Sequence, residues 1–208
     1  MRADDHRERS PVSRGIRLSR RRFGIIAVGL AAPLFVSRAH AESVPVPVVL
    51  QAELLAKVLE YDRNFPSRAG DRTRVLLVTQ PTNADSTTVV QQMAAALGRL
   101  SQMGGLPHDE IVIGYPGAQA LAKTCRDRQI SVVYFGPGFR DDIGTLRAAL
   151  SGVDVMSVAS VPDYVQGGIV LGFDVVSGRP KLLFNLTQAR LQNVDLRAAV
   201  LKLMTVIE

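Results

Sequence analysis

Strand-length apolar runs alternate with helix-period stretches along the middle of this chain, and that alternation leaves few folds open. Arg74-Val75-Leu76-Leu77-Val78-Thr79 is a continuous apolar run of strand length, the mark of a strand covered on both faces. Glu110–Gly114, Ile130–Phe135 and Val153–Val158 are further runs of strand length. Between them, Val89, Met93, Ala96, Leu97 and Leu100 recur at helical spacing, behind a polar turn in which Asp85 or Ser86 is placed as the cap. Ala118–Arg128 is a helix with Leu121, Ala122 and Cys125 inward, and Asp142–Leu150 is another. An earlier helix carries Leu50, Leu54, Leu55, Val58 and Leu59 and stops near Asn64-Phe65-Pro66. Strands separated by helices require right-handed crossovers and a mainly parallel sheet.

After residue 166 the pattern changes. Gly167–Val176 and Lys181–Leu186 read as strands separated only by Ser177-Gly178-Arg179-Pro180. So short a turn joins antiparallel neighbours. A last helix follows, with Leu196, Val200, Leu203 and Met204 on one face. The expected fold is a single three-layer α/β domain. Its sheet is mixed and mainly parallel, and ends in an antiparallel C-terminal hairpin and a last helix.

The N-terminus belongs to a different kind of segment. Ser19-Arg20-Arg21-Arg22-Phe23 precedes an apolar run from Phe23 to Val36 and the small-x-small sequence Ala39-His40-Ala41. A basic region, an apolar region and such a cleavage site form an export signal. The apolar run has 14 residues, short of the roughly 20 that cross a bilayer as a helix. Ser-Arg-Arg-x-Phe, with Arg20 and Arg21 as the pair, resembles the twin-arginine form of that signal. Residues 1–41 are therefore expected to be a signal peptide cleaved after Ala41, and 42–208 the working domain, outside the bacterial cytoplasm in the periplasm.

Export changes the meaning of the charge. The whole chain carries 25 Lys+Arg against 19 Asp+Glu and looks basic. Nine of those arginines and three of the acids lie within residues 1–41, which leaves 16 charges of each sign. A neutral domain of this kind gives no support to nucleic-acid binding or to a polybasic membrane patch.

Cysteine and histidine counts narrow the chemistry further. Cys125 is the only cysteine, so no disulfide can form within the chain; it is read as a buried thiol, with a bond between two chains, and hence a homodimer, left open. His108 is the only histidine after residue 41, and Gly104-Gly105-Leu106-Pro107 before it reads as a turn that puts it in a solvated loop. Neither a Cys/His metal site nor a His-assisted nucleophile can be assembled from these two. No catalytic residue, metal or cofactor is expected, and the chain reads as a binding protein rather than an enzyme.

Binding residues are expected where the loops after successive strands gather, at the carboxyl edge of the sheet. Thr79–Ser86, Gly114–Ala118 and Gly136–Asp142 are those loops, and Gly136-Pro137-Gly138-Phe139-Arg140 combines backbone freedom, an aromatic and a cation. Gly167-Gly168 reads either as a strand-start bulge or as a close approach to a partner. Asn185 reads either as a strand end or cap or as a contact residue.

The C-terminal third resembles a known family. Ser157-Val158-Ala159, Pro162-Asp163-Tyr164, Gly167-Gly168-Ile169, Asn185-Leu186, Ala189-Arg190 and Leu201-Lys202-Leu203 are similar to the YfiR-like family, formerly a domain of unknown function. The resemblance is good over residues 153–205 and looser before. It implies a periplasmic regulator that docks on the periplasmic domain of an inner-membrane signalling enzyme, typically a diguanylate cyclase, and keeps it inactive. Asp163, Gly167, Gly168, Asn185, Arg190, Phe139 and Arg140 are the candidate partner or ligand surface. Two departures stand out: Val170-Leu171 occupies the place of the family's common asparagine, and the cysteine pairs of some members are missing. The alternative is a small-molecule-binding component of an envelope transport or sensory system.

Overall fold

A computed structural model describes residues 42–208. Arg20, Arg21 and the expected cleavage point after Ala41 lie outside the described residues. The lead-in from Glu42 runs into helix α1 (Val48–Leu59), followed by the short α2 (Phe65–Ala69) and strand β1 (Thr73–Thr79). Helix α3 (Ala84–Leu97), strand β2 (His108–Gly114), helix α4 (Ala118–Asp127) and strand β3 (Val132–Phe135) come next. A 3-10 turn at Arg140–Asp142 leads into α5 (Ile143–Leu150), then β4 (Met156–Ala159) and α6 (Asp163–Gly167). Strands β5 (Leu171–Val176) and β6 (Arg179–Asn185), helices α7 (Leu186–Leu191) and α8 (Ala198–Leu201), and strand β7 (Thr205–Ile207) complete the fold.

The sheet has the order β2-β1-β3-β4-β5-β6-β7. Strands β1 to β5 are parallel, β6 is antiparallel to β5, and β7 runs parallel to β6. Side chains along β1 alternate between two cores. Val75 and Leu77 join α1 and α3 on one face, while Leu76 and Val78 join α4 and α5 on the other. That division makes the three layers. The continuous apolar pattern of β1 follows directly, because both of its faces are buried.

The mixed α/β architecture and the hairpin match the expectation from sequence. Four local readings need correction. The cap of α3 lies two to three residues earlier than Asp85 or Ser86: it is Asn83, its side chain accepting from the Ser86 amide at 3.0 Å. Gly167 and Gly168 are not the start of a strand but the end of α6, and β5 begins at Leu171. The last helix is one turn, Ala198–Leu201, because Met204 turns inward and Thr205–Ile207 adds a strand beside β6. His108 is no loop residue. It opens β2, its Nε2 lies 2.9 Å from the Leu100 carbonyl and its Nδ1 2.6 Å from Glu110.

Strand β4 pairs with β5 only through Val158–Leu171 and Ala159–Gly172. The β5–β6 hairpin therefore continues past the level at which β1, β3 and β4 end. Val175 and Val176 are exposed toward its tip, and Phe173 is buried nearer its base.

Candidate functional site

The strand order turns back at β1, which has β2 on one side and β3 on the other. Helix α3 leaves toward one face of the sheet and α4 returns across the other. In such sheets the crevice at the carboxyl ends of the diverging strands is the usual ligand position. Here the loops after β1 and β3 close on each other. Ser86 Oγ accepts from the Gln80 amide at 2.8 Å, and Gln80 Nε2 donates to Asp142 at 3.0 Å. A Cβ at Gly136 would lie 2.8 Å from Ser86 Oγ, and one at Gly138 would lie 2.8 Å from Asn83 Cβ. Gly138 also has φ +96°, a conformation that glycine adopts at little cost. These two glycines let the β3 turn lie directly against the start of α3, so protein atoms fill the floor of the crevice.

Beside that floor a polar cluster forms. The Phe139 amide donates to the Tyr164 hydroxyl at 2.8 Å. The Tyr164 hydroxyl and the Gly138 amide both donate to the Glu42 carboxylate. Arg140 Nε lies 3.4 Å from the same carboxylate, and Arg140 Nη2 lies 3.5 Å from Asp163. Burial pushes the Tyr164 hydroxyl pKa up, and the adjoining Glu42 carboxylate raises it further. The phenol stays protonated and keeps its role as donor. Tyr115, at the mouth of the neighbouring loop, is shifted up as well, by burial and then by Asp142.

The candidate surface residues are divided by this arrangement. Arg140 and Asp163 are exposed and meet across the cluster. Phe139 is fully buried, its ring edge-on to Tyr115 at 5.2 Å and to Phe135 at 5.3 Å, so it offers core and not surface. Gly167 and Gly168 press α6 onto α5: a Cβ at Gly167 would meet Ile143 at 2.3 Å, and one at Gly168 would meet Arg147 at 2.6 Å. Asn185 is buried, caps α7 by accepting from the Gln188 amide at 2.8 Å, and donates to the Val165 carbonyl at 2.8 Å. Arg190 is exposed and stands apart, at a groove of about 320 Å³ that includes Asn64, Phe184, Asn193 and Asp195. Glu42 and Tyr164 were not singled out from sequence. Nothing in the order of residues signals that a lead-in glutamate reaches a tyrosine 122 positions away.

Among the described residues no group of His, Cys, Asp or Glu side chains is placed to hold a metal ion. Nor is any of their helices long and apolar enough to cross a membrane. At the carboxyl edge the cluster presents a backbone amide, a phenol hydroxyl and a guanidinium to one carboxylate, that of Glu42.

A conserved domain protein from Vibrio cholerae superposes with a TM-score of 0.55 at 14% identity, covering 78% of this chain and 60% of that one. The ABC domain of a Streptococcus pneumoniae protein in complex with L-Trp gives a TM-score of 0.54 at 14% identity, covering 77% of this chain and 60% of that one. The chain thus spans about three fifths of both structures, and at this identity the likeness is one of fold. No curated protein sequence matches. The YfiR/HmsC-like family matches residues 49–205, from the second residue of α1 to the first of β7, and the chain belongs to that family.

Proposed function

We propose that the chain is a periplasmic regulatory protein that binds the periplasmic domain of an inner-membrane signalling enzyme, such as a diguanylate cyclase, and holds it inactive. Membership of the YfiR/HmsC-like family over residues 49–205 is the observation that carries this reading. The exposed Arg140–Asp163 pair, the exposed Arg190 and the projecting hairpin with Val175 and Val176 supply the polar and apolar surface that docking needs. Regulation of this kind requires the protein to bind one conformation of the enzyme better than the other.

The experiment is deletion and complementation, read by cyclic di-GMP and by crosslinking in the envelope. Deletion is expected to raise cyclic di-GMP, and crosslinking is expected to recover an inner-membrane cyclase. Asp163→Lys and Arg190→Glu are expected to mimic the deletion in part, with the melting temperature nearly unchanged, since charge reversals at a rim act on encounter and complementarity. Unchanged cyclic di-GMP together with no envelope partner would overturn the reading. Export through Arg20 and Arg21 belongs to the same proposal: the double Lys variant is expected to stay in the cytoplasm when general secretion is blocked, and the exported chain to begin at Glu42.

A further inference from the structure

The carboxyl edge holds a carboxylate that belongs to the chain itself. The Glu42 side chain is only 9% exposed, a state that glutamate rarely adopts without matched charge and hydrogen bonds. Its Oε2 accepts from the Gly138 amide and the Tyr164 hydroxyl, and its Oε1 faces Arg140. The donors are positioned by other contacts. Gly138 and Phe139 lie in the turn packed against Asn83, and the Tyr164 hydroxyl is held by the Phe139 amide at 2.8 Å. Tyr164 is itself 2% exposed. A built receptor is thus filled by a side chain that arrives from the start of the lead-in.

We propose that this receptor is a carboxylate-binding site, closed in the present conformation by Glu42 and open to an incoming carboxylate when Glu42 and Ser43 swing away ahead of the anchor at Val46, which is fully buried and accepts from Gln51 Nε2 at 2.8 Å. Two neutral donors and one guanidinium surround the group, and Asp163 at 3.5 Å offsets part of the Arg140 charge. That balance suits a single negative charge better than a phosphate dianion. A free organic acid and an acidic side chain of another protein present the same two oxygens.

Amide NMR of the ¹⁵N-labelled full chain tests the proposal without any signalling enzyme present, so its outcome is separate from the regulatory role. Glu42→Ala removes the resident carboxylate. Propionate is expected to shift the Gly138 and Phe139 amides of that variant saturably, at least tenfold more tightly than in the unaltered chain. Adding Arg140→Ala is expected to weaken this binding at least threefold. Glu42→Gln keeps the shape and drops the charge, and is expected to bind between the two; it carries the comparison should Glu42→Ala not fold. Acetyl-Ala-Glu-Ala-amide distinguishes the sources: binding of the peptide as well as propionate assigns the site to a chain-borne carboxylate, and binding of propionate alone assigns it to a free acid. Equal affinity in altered and unaltered chains, or no shift at Gly138 and Phe139 with either probe, would overturn the site.

Discussion

Cys125 sits on the inner face of α4, buried in the core shared by α4, α5 and the sheet. Burial pushes its thiol up from the ordinary 9.0 to about 12, so the thiolate that reacts with oxidants and other thiols is scarce. A melting temperature unaffected by reductant is the expected result, along with thiol labelling that proceeds no faster than unfolding. Cys125→Ser should cost about 1–2 kcal/mol, because it buries a hydroxyl among apolar neighbours rather than breaking a bond. The sign of the pH effect follows from the upward shift. The stability that the neutral thiol contributes is complete below pH 9, where folded and unfolded chains are both protonated, and is lost as pH rises toward the folded value of about 12. The slope in that window is about 1.4 kcal/mol per pH unit for one such group. Tyr134 and Tyr164, both raised by burial, act in the same direction at higher pH. Alkaline denaturation of Cys125→Ala should accordingly show a shallower loss above pH 9 than that of the unaltered chain.

At the scale of elements, α6 and its flanks explain three residues at once. This helix is a single short turn wedged between α5 and β5, and side chains there would hold the layers apart. Gly167 admits Ile143, and Gly168 both admits Arg147 and ends the helix with φ +120°. Asn185, at the end of β6, reaches back to the Val165 carbonyl of α6 while it caps α7. Strand, helix end and cap therefore share one buried amide. Asn185→Ala loses the cap and leaves a buried carbonyl without its donor, and about 2 kcal/mol of destabilisation is expected. Asn185→Asp keeps the acceptor but not the donor. It sets a buried, unpaired carboxylate oxygen against the Val165 carbonyl and should be no more stable than Asn185→Ala in urea denaturation at neutral pH, whereas equal stability of all three chains would mean that Asn185 does not stabilise this junction.

At the scale of the molecule, one arginine joins the two ends of the fold. Arg68 in α2 is 1% exposed and pairs with the fully buried Asp62 at 2.7 Å. It also reaches Asp154 before β4 and the Asn193 carbonyl after α7, each at 2.7 Å. Asp62 in turn accepts from the amides of Asn64 and Asp195. Removing the arginine leaves the buried Asp62 charge and the Asn193 carbonyl without their donor, so Arg68→Ala should cost about 3–5 kcal/mol. The half-exposed Asp154 adds less than Asp62, and Asp154→Asn is expected to be much milder. Loss of Arg68 should also loosen the C-terminal segment that carries β7, seen as faster amide exchange at Thr205–Ile207 than in the unaltered chain.

The alternating runs of residues 74–158 were enough by themselves to establish a parallel α/β sheet, because burial on both faces imposes an apolar code that any reader of the chain can follow. The hairpin was equally plain, since so short a turn leaves no room for a crossover, although Arg179 and Pro180 pair with Val176 and Val175 as part of β6 and only Ser177-Gly178 form the turn. Local order also revealed Cys125 as a buried thiol. Strand β7 was not legible, because three residues at an edge carry no periodicity and read as the tail of a helix. The fate of His108 depended on the Leu100 carbonyl and Glu110 closing around it, and that of Phe139 on two other rings. Gly138, Arg140, Tyr164 and Glu42 became one site only when the β3 turn, α6 and the lead-in met at the carboxyl edge. Short-range preferences are written in neighbouring residues, whereas hydrogen bonds between positions 96 and 122 apart exist only once packing has fixed both partners.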